Sequence, residues 1–236
     1  MNKLILFFTF IFVNFAFCQE VEFITKNDTL TTNKDNYFGY LFKETDLSNA
    51  KLVAKVKGSG NINTFSGIFQ KIKYLTTKIG ANSFFIESYT KIDAQNIEMV
   101  FLTYNCSDEI FEKNFKNVPK NLIYVIGSEN LSSEKTQNFK INGKKHQILS
   151  GKYKRFEVKI GEELKINKGG FAGMTLWIKG EEEKGSTFVS FTGLGLMGGG
   201  YNPANGVMGI AINTGTINRV EPNFGLLLLR VFEEQK

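Results

Sequence analysis

Apolar residues recur at helical spacing in the first half of the chain, over residues 62–79. One stripe of the predicted helix is apolar and comprises Ile62, Phe65, Ile68, Phe69, Ile72, Leu75 and Ile79. Lysines and Gln70 occupy the opposite side, so the spacing predicts an amphipathic helix that buries one face. Gly80 follows at the position where a left-handed residue often ends a helix.

Strand patterns surround this helix. Alternating residues, or runs rich in β-branched and aromatic side chains, predict strands over 51–57, 83–89, 97–104 and 122–126. A short helix is predicted after Ser107 as its N-cap, with Phe111 and Phe115 on its buried side. Helices on one face of a small sheet make an α+β domain, which we place at residues 19–130.

Short strands separated by glycine dominate the rest of the chain. They are predicted at 153–160, 164–166, 174–179, 187–191, 207–213 and 225–232. This spacing is typical of a β-sandwich or a small barrel. The sequence therefore predicts an α+β N-terminal domain followed by an all-β domain at residues 131–236.

Composition changes near the same boundary. Residues 19–134 carry 13 lysines against 14 acidic residues, whereas residues 135–236 carry 15 basic residues against 9 acidic ones. Of the 23 glycines, 17 lie in the second segment. The polar stretch at 128–137 has the composition of a linker between two domains.

The N-terminus carries an apolar run at residues 4–17, directly after Lys3, and this run is too short to span a bilayer comfortably. Its length, the charge before it and the small residues Ala16 and Cys18 at its end predict a secretory signal peptide over residues 1–18. An alternative is a lipoprotein tethered through Cys18. We expect an exported protein, in the periplasm or at the cell surface, with no transmembrane segment in the mature chain.

The segment of residues 71–86, KIKYLTTKIGANSFFI, joins the end of the predicted helix to a strand through Gly80, Ala81 and Asn82. This unit resembles the helix, Gly-Ala-Asn and strand of small exported bacterial domains of the Rcs stress-sensor lipoprotein type. Ser83 stands where such strands usually open with alanine, and the cysteines of the sensor lipoprotein are missing. The resemblance implies a helix that turns directly into a strand, and an envelope role without catalysis.

A glycine-rich segment at residues 193–198, GLGLMG, matches the spacing of a dinucleotide-binding motif. Such a motif needs a helix directly after it, and the Gly, Asn and Pro residues that follow oppose a helix. The segment therefore predicts a loop between strands. Its apolar residues are candidates for contact with a partner, namely Leu196, Met197 and Tyr201.

The second candidate surface is a basic stretch at residues 135–159, which contains eight basic residues and one acidic residue. Four of its residues are candidates for binding an anionic polymer or an acidic partner: Lys144, Lys145, Lys154 and Arg155. The alternative is a solvated hairpin whose lysines prevent edge-to-edge aggregation. Trp177, on the polar side of its predicted strand, is a candidate platform for sugar stacking or an interface residue.

The chain offers little for catalysis. It has one histidine, His146, and once the signal peptide is removed one cysteine, Cys106, which we expect to be a buried thiol. These residues predict no catalytic triad, no metal site and no cofactor.

The function that follows is a non-catalytic exported protein that binds another component of the cell envelope, either a protein or an anionic polymer. The alternative is a glycan-binding or glycan-hydrolysing protein that uses the C-terminal β domain. Nucleic acid is not expected as a partner, since no recognised binding motif accompanies the charge.

Overall fold

The structure, a computed structural model, describes residues 19–27, 37–131, 135–169, 173–191 and 216–236. Of these residues, 49% lie in strands and 19% in helices. The predicted signal peptide, the predicted strand at 207–213 and the loop residues Leu196, Met197 and Tyr201 lie outside the described residues.

The described strands are β1 (Glu20–Lys26), β2 (Gly39–Tyr40), β3 (Lys51–Asn61), β4 (Ser83–Lys91), β5 (Asn96–Asn105), β6 (Leu122–Ile126), β7 (Thr136–Ile141), β8 (Lys144–Leu149), β9 (Lys152–Glu157), β10 (Glu163–Lys168), β11 (Met174–Lys179), β12 (Thr187–Ser190), β13 (Asn218–Arg219) and β14 (Glu233–Glu234). The described helices are α1 (Phe65–Thr77), α2 (Asp108–Phe115) and α3 (Pro222–Val231).

The described strands form three sheets. Sheet A has the order β1-β3-β5-β4-β2, sheet B the order β11-β10-β7-β8, and sheet C the order β13-β12-β6-β9-β14. Helix α1 covers sheet A, where Phe69 packs on Phe84, and it contacts α3. Helix α3 in turn lies on sheet C. The opposite face of sheet C shares a second apolar core with sheet B, an arrangement compatible with a β-sandwich.

The predicted order of an α+β domain followed by an all-β domain is wrong. The described chain is mostly strand, and sheet C mixes the two predicted segments. Strand β6, from the first segment, pairs with β9 and β12 of the second. One hydrophobic core also joins the segments, because Phe224 near the C-terminus packs against Phe65 and Phe69 of α1.

Helix α3 occupies most of the region that the sequence predicts as a strand at 225–232. A short apolar run fits a buried strand and a buried helix equally well, so periodicity could not separate them. The start of the helix is decided by its cap: the Glu221 carboxylate accepts hydrogen bonds from the backbone N–H of Asn223 and of Phe224. Pro222 at the first helical position suits this geometry, because its missing N–H would be unsatisfied there anyway.

Several local predictions are confirmed. Helix α1 occupies the centre of the predicted 62–79 helix, Gly80 has a φ of 99°, and β4 begins three residues later. Helix α2 starts directly after Ser107, and Cys106 is a buried free thiol. Burial raises the pKa of that thiol. The prediction for Phe115 is wrong, since its side chain is 53% exposed.

The predicted linker at 128–137 makes a specific contact with α1. The carboxylate of Glu129 accepts hydrogen bonds from the backbone N–H of Ser66, at 3.2 Å, and from its hydroxyl, at 2.9 Å. Burial raises the pKa of Glu129, and the two hydrogen bonds from Ser66 oppose that shift. This stretch therefore anchors the first turn of α1 instead of only connecting two domains.

We expect Glu129→Gln to change how stability depends on pH. A carboxyl group whose pKa is raised by folding adds stability while it is protonated, and that stability is lost as the pH rises through the folded-state pKa. The neutral glutamine cannot titrate, so the stability of the wild type relative to Glu129→Gln should increase as the pH falls from 7 to 4. Urea unfolding across this range measures the difference. Glu182→Gln, at an exposed carboxylate, is the control, and a pH-independent difference for Glu129→Gln would contradict the prediction.

No helix in the part of the chain that the structure describes is long and apolar enough to cross a membrane.

Candidate anion-binding cleft

A cleft of about 1200 Å³ lies at one end of the packing between sheets B and C. Strands β7 and β8 form one side, and the other side is formed by β9, by Phe191 directly after β12 and by Gln235 near the C-terminus. Its basic lining residues are Lys135, Lys140, Lys145, Lys154, Lys168 and His146. Among the described lining residues there is no aspartate or glutamate to pair with these lysines.

The β7–β8 hairpin brings two of these lysines together. Its two-residue turn, Asn142-Gly143, has positive φ angles at both positions, as a tight hairpin turn requires. The resulting register places Lys140 directly opposite Lys145 on neighbouring strands, with both side chains exposed. Like charges directly opposite each other on a sheet are destabilising, and a bound anion relieves the repulsion.

Lys168 is held at the rim of the cleft by contacts with its surroundings. Its ammonium donates a hydrogen bond to the backbone oxygen of Asn138, at 2.8 Å, and lies 4.9 Å from the ring centroid of Phe191. Burial lowers the pKa of Lys168. The hydrogen bond to Asn138 and the contact with Phe191 fix the position of the ammonium group, which reduces the conformational entropy lost when an anion binds.

His146 stands between aromatic rings. It stacks on Phe139, with centroids 5.5 Å apart, and meets Phe156 edge-on at 5.2 Å. Burial and the positive charges of Lys154 and Lys144 lower its pKa. These neighbours favour the neutral ring, which supplies an N–H donor beside the lysines.

The structure brings only part of the predicted basic site together. Lys145 and Lys154 line the cleft, whereas Lys144 and Arg155 do not. The guanidinium of Arg155 forms an ion pair with Glu234 at 3.5 Å, and alternation along β9 places it on the opposite side from Lys154.

The C-terminal strand pairs with the basic stretch, and some of the lysines of that stretch form polar contacts with it. Strand β14 runs parallel to β9, and the ammonium of Lys152 forms an ion pair with Glu233. Lys154 donates a hydrogen bond to the backbone oxygen of Lys236 at 3.1 Å. The sequence pattern showed no reason to pair these distant segments.

Trp177 is exposed as predicted but lies away from the cleft. It is 53% exposed on β11, at the edge of sheet B, and it lies opposite Lys165 of the neighbouring strand β10. The Lys165 ammonium lies 5.5 Å from the indole. The candidate stacking surface at Trp177 and the basic cleft are therefore separate.

The sequence analysis missed several lining residues of the cleft, among them Gln137 and Lys168. Gln137 falls in the predicted linker, although it lies two residues before Phe139 and four before Ile141 and so shares their inward-facing side of β7. That alternation was the signal that could have placed Gln137 among buried residues.

The described residues contain no group of three or more His, Cys, Asp or Glu side chains that could hold a metal ion. No family model matches the chain, and neither a curated protein nor a solved structure matches it. The resemblance to Rcs-type domains stays a prediction, although the helix-to-strand turn that it implies is present. The function is therefore inferred from the cleft.

Proposed function

We propose that the protein is a non-catalytic exported protein that binds an anionic component of the cell envelope in this cleft. One observation carries the proposal: five lysines and a histidine line the cleft without a carboxylate among its described lining residues. The directly opposed pair Lys140 and Lys145 supports it, because the two like charges repel each other and an anion bound between them relieves that repulsion.

The charge of the second segment extends this attraction beyond contact distance. Residues 135–236 carry 15 basic against 9 acidic residues, so a negatively charged polymer is drawn toward this part of the molecule. The apolar run at residues 4–17 predicts export. Because an exported protein meets components of the cell envelope, we propose an envelope component as the ligand.

The alternative of a glycan-binding protein is favoured by Trp177. An exposed indole flanked by a lysine offers a face on which a sugar ring can stack. One exposed aromatic provides a small platform, so this surface is a second candidate and the cleft remains the first.

We expect neutralising the opposed lysines to weaken polyanion binding. The mature chain, residues 19–236, should bind polyphosphate and polygalacturonate with an affinity that falls as salt is added. The double variant Lys140→Gln/Lys145→Gln should bind about thirtyfold more weakly at low ionic strength, because each of the two lost charges contributes about 1 kcal/mol at contact in water. Fluorescence anisotropy with labelled polymers measures the affinities.

The matched control is Lys91→Gln/Lys116→Gln, which removes the same charge from exposed lysines outside the cleft. Equal weakening by both double variants would mean that net charge and not the cleft attracts the polymer. Binding of neutral dextran that disappears in Trp177→Ala would favour the glycan alternative instead.

A further inference from the structure

Gln137 is a buried polar residue in the wall of the cleft. It lies on β7 opposite Ile148 of β8, and it is 8% exposed. Its side-chain oxygen is buried and accepts no hydrogen bond from any of the described residues. Buried amide oxygens almost always have a donor, so this atom requires an explanation.

The neighbouring inward positions on β7 show that the fold itself does not require a polar side chain there. Phe139 and Ile141 are inward, buried and apolar, and both belong to the core between sheets B and C. An apolar residue at 137 would continue that core without leaving an unpaired acceptor. Gln137 also lines the cleft, so a ligand in the cleft can supply the missing donor.

Two chemical requirements on the ligand follow from these neighbours. Lys154 and Lys168, which face the space between sheets B and C as Gln137 does, favour a negative charge. The oxygen of Gln137, in contrast, needs an O–H or N–H donor. A fully ionised phosphate polymer provides the charge without the donor. An acidic sugar provides both, because each residue carries a carboxylate or sulfate beside free hydroxyl groups.

We propose that the cleft binds an acidic polysaccharide, with Gln137 accepting a hydrogen bond from a sugar hydroxyl while the cleft lysines hold the acidic group. This inference rests on the proposed function, because it specifies the ligand of the same cleft. Gln137 then selects among anions that the lysines alone would bind alike.

The test compares two small anionic probes, tri-galacturonate and inorganic tripolyphosphate, by titration calorimetry on the mature chain. Gln137→Met removes the acceptor and keeps the length of the side chain. We expect it to weaken tri-galacturonate binding about tenfold, because one hydrogen bond to the sugar is lost. Tripolyphosphate makes no such hydrogen bond, so its affinity should change by less than about twofold. Gln95→Met is the control, since Gln95 is exposed and lies outside the cleft. It should leave both affinities unchanged.

A stability measurement on the free protein provides an independent readout. Replacing an unpaired buried acceptor by an apolar side chain should leave the unfolding midpoint of Gln137→Met equal to or above that of the wild type. A clearly lowered midpoint would show that the fold already satisfies this amide, and it would overturn the inference.

The remaining outcomes separate the inference from the proposed function. If the wild type binds only tripolyphosphate, or if Gln137→Met weakens both probes equally, the acidic sugar is excluded as the selected ligand and the anion-binding function stands. If the wild type binds neither probe nor the polymers, the proposed function fails and this inference fails with it.

Discussion

Replacing Phe224 by alanine is expected to lower the free energy of unfolding by about 3–5 kcal/mol. The side chain is 0% exposed, and its ring centroid lies 5.9 Å from that of Phe65 and 5.2 Å from that of Phe69. Truncation removes buried apolar surface and leaves a cavity where α3 meets α1. Urea denaturation followed by circular dichroism measures the loss.

Phe115→Ala is the matched control, because it removes the same atoms from a side chain that is 53% exposed. Phe115 contacts the Lys120 ammonium, 3.9 Å from its ring centroid, so the expected loss is about 1 kcal/mol or less. If Phe224→Ala costs no more than Phe115→Ala, α3 is not docked on the first segment, and the predicted boundary near residue 130 would gain support.

Local elements could be predicted from sequence where one short-range signal decided them. The apolar stripe of α1 and the left-handed Gly80 lie within one segment, so period and cap together located the helix. The strand at 122–126 was also predicted, because its five residues are apolar or aromatic. Each of these signals depends on neighbours in the sequence and on no distant contact.

The assembly of these elements depends on long-range pairing, which a single sequence does not reveal. Strand β6 pairs in parallel with β12, about sixty residues later, and α3 returns from the C-terminus to complete the first core. Charge and glycine content do change at residue 135, but this position is not a boundary between two hydrophobic cores, because one core contains residues from both sides of it. Composition therefore predicted a boundary that the packing crosses.

In the candidate site, too, the features set by local sequence could be predicted and those set by distant contacts could not. The density of lysine at 135–159 predicted a basic surface, and Lys145 and Lys154 do line the cleft. Arg155 could not be excluded from sequence, because its partner Glu234 lies in the C-terminal strand. The role of Gln137 depends on being buried without a donor, a property that appears only once β7 is packed against sheet C.

The second large effect is expected at Gly127, directly after β6. A Cβ at this position would lie 1.9 Å from the backbone oxygen of Leu149, at the end of β8, and 3.2 Å from that of Lys152, at the start of β9. The backbone N–H of Gly127 donates to the Lys152 oxygen at 2.9 Å, so the loop is held tightly against the β8–β9 turn. We therefore expect Gly127→Ala to lower the free energy of unfolding by about 3 kcal/mol, since neither backbone can move away cheaply.

The same substitution links the fold to the cleft. Strand β8 carries Lys145 and β9 carries Lys154, so a displaced β8–β9 turn should also weaken polyanion binding in the fraction that remains folded. Gly185→Ala is the control, because its nearest neighbour, Val118, lies at an ordinary contact distance of 3.7 Å and the change should cost less than about 1 kcal/mol. Denaturant unfolding and fluorescence anisotropy measure the two effects. A stable Gly127→Ala protein with wild-type affinity would show that the cleft does not depend on this close approach of backbones.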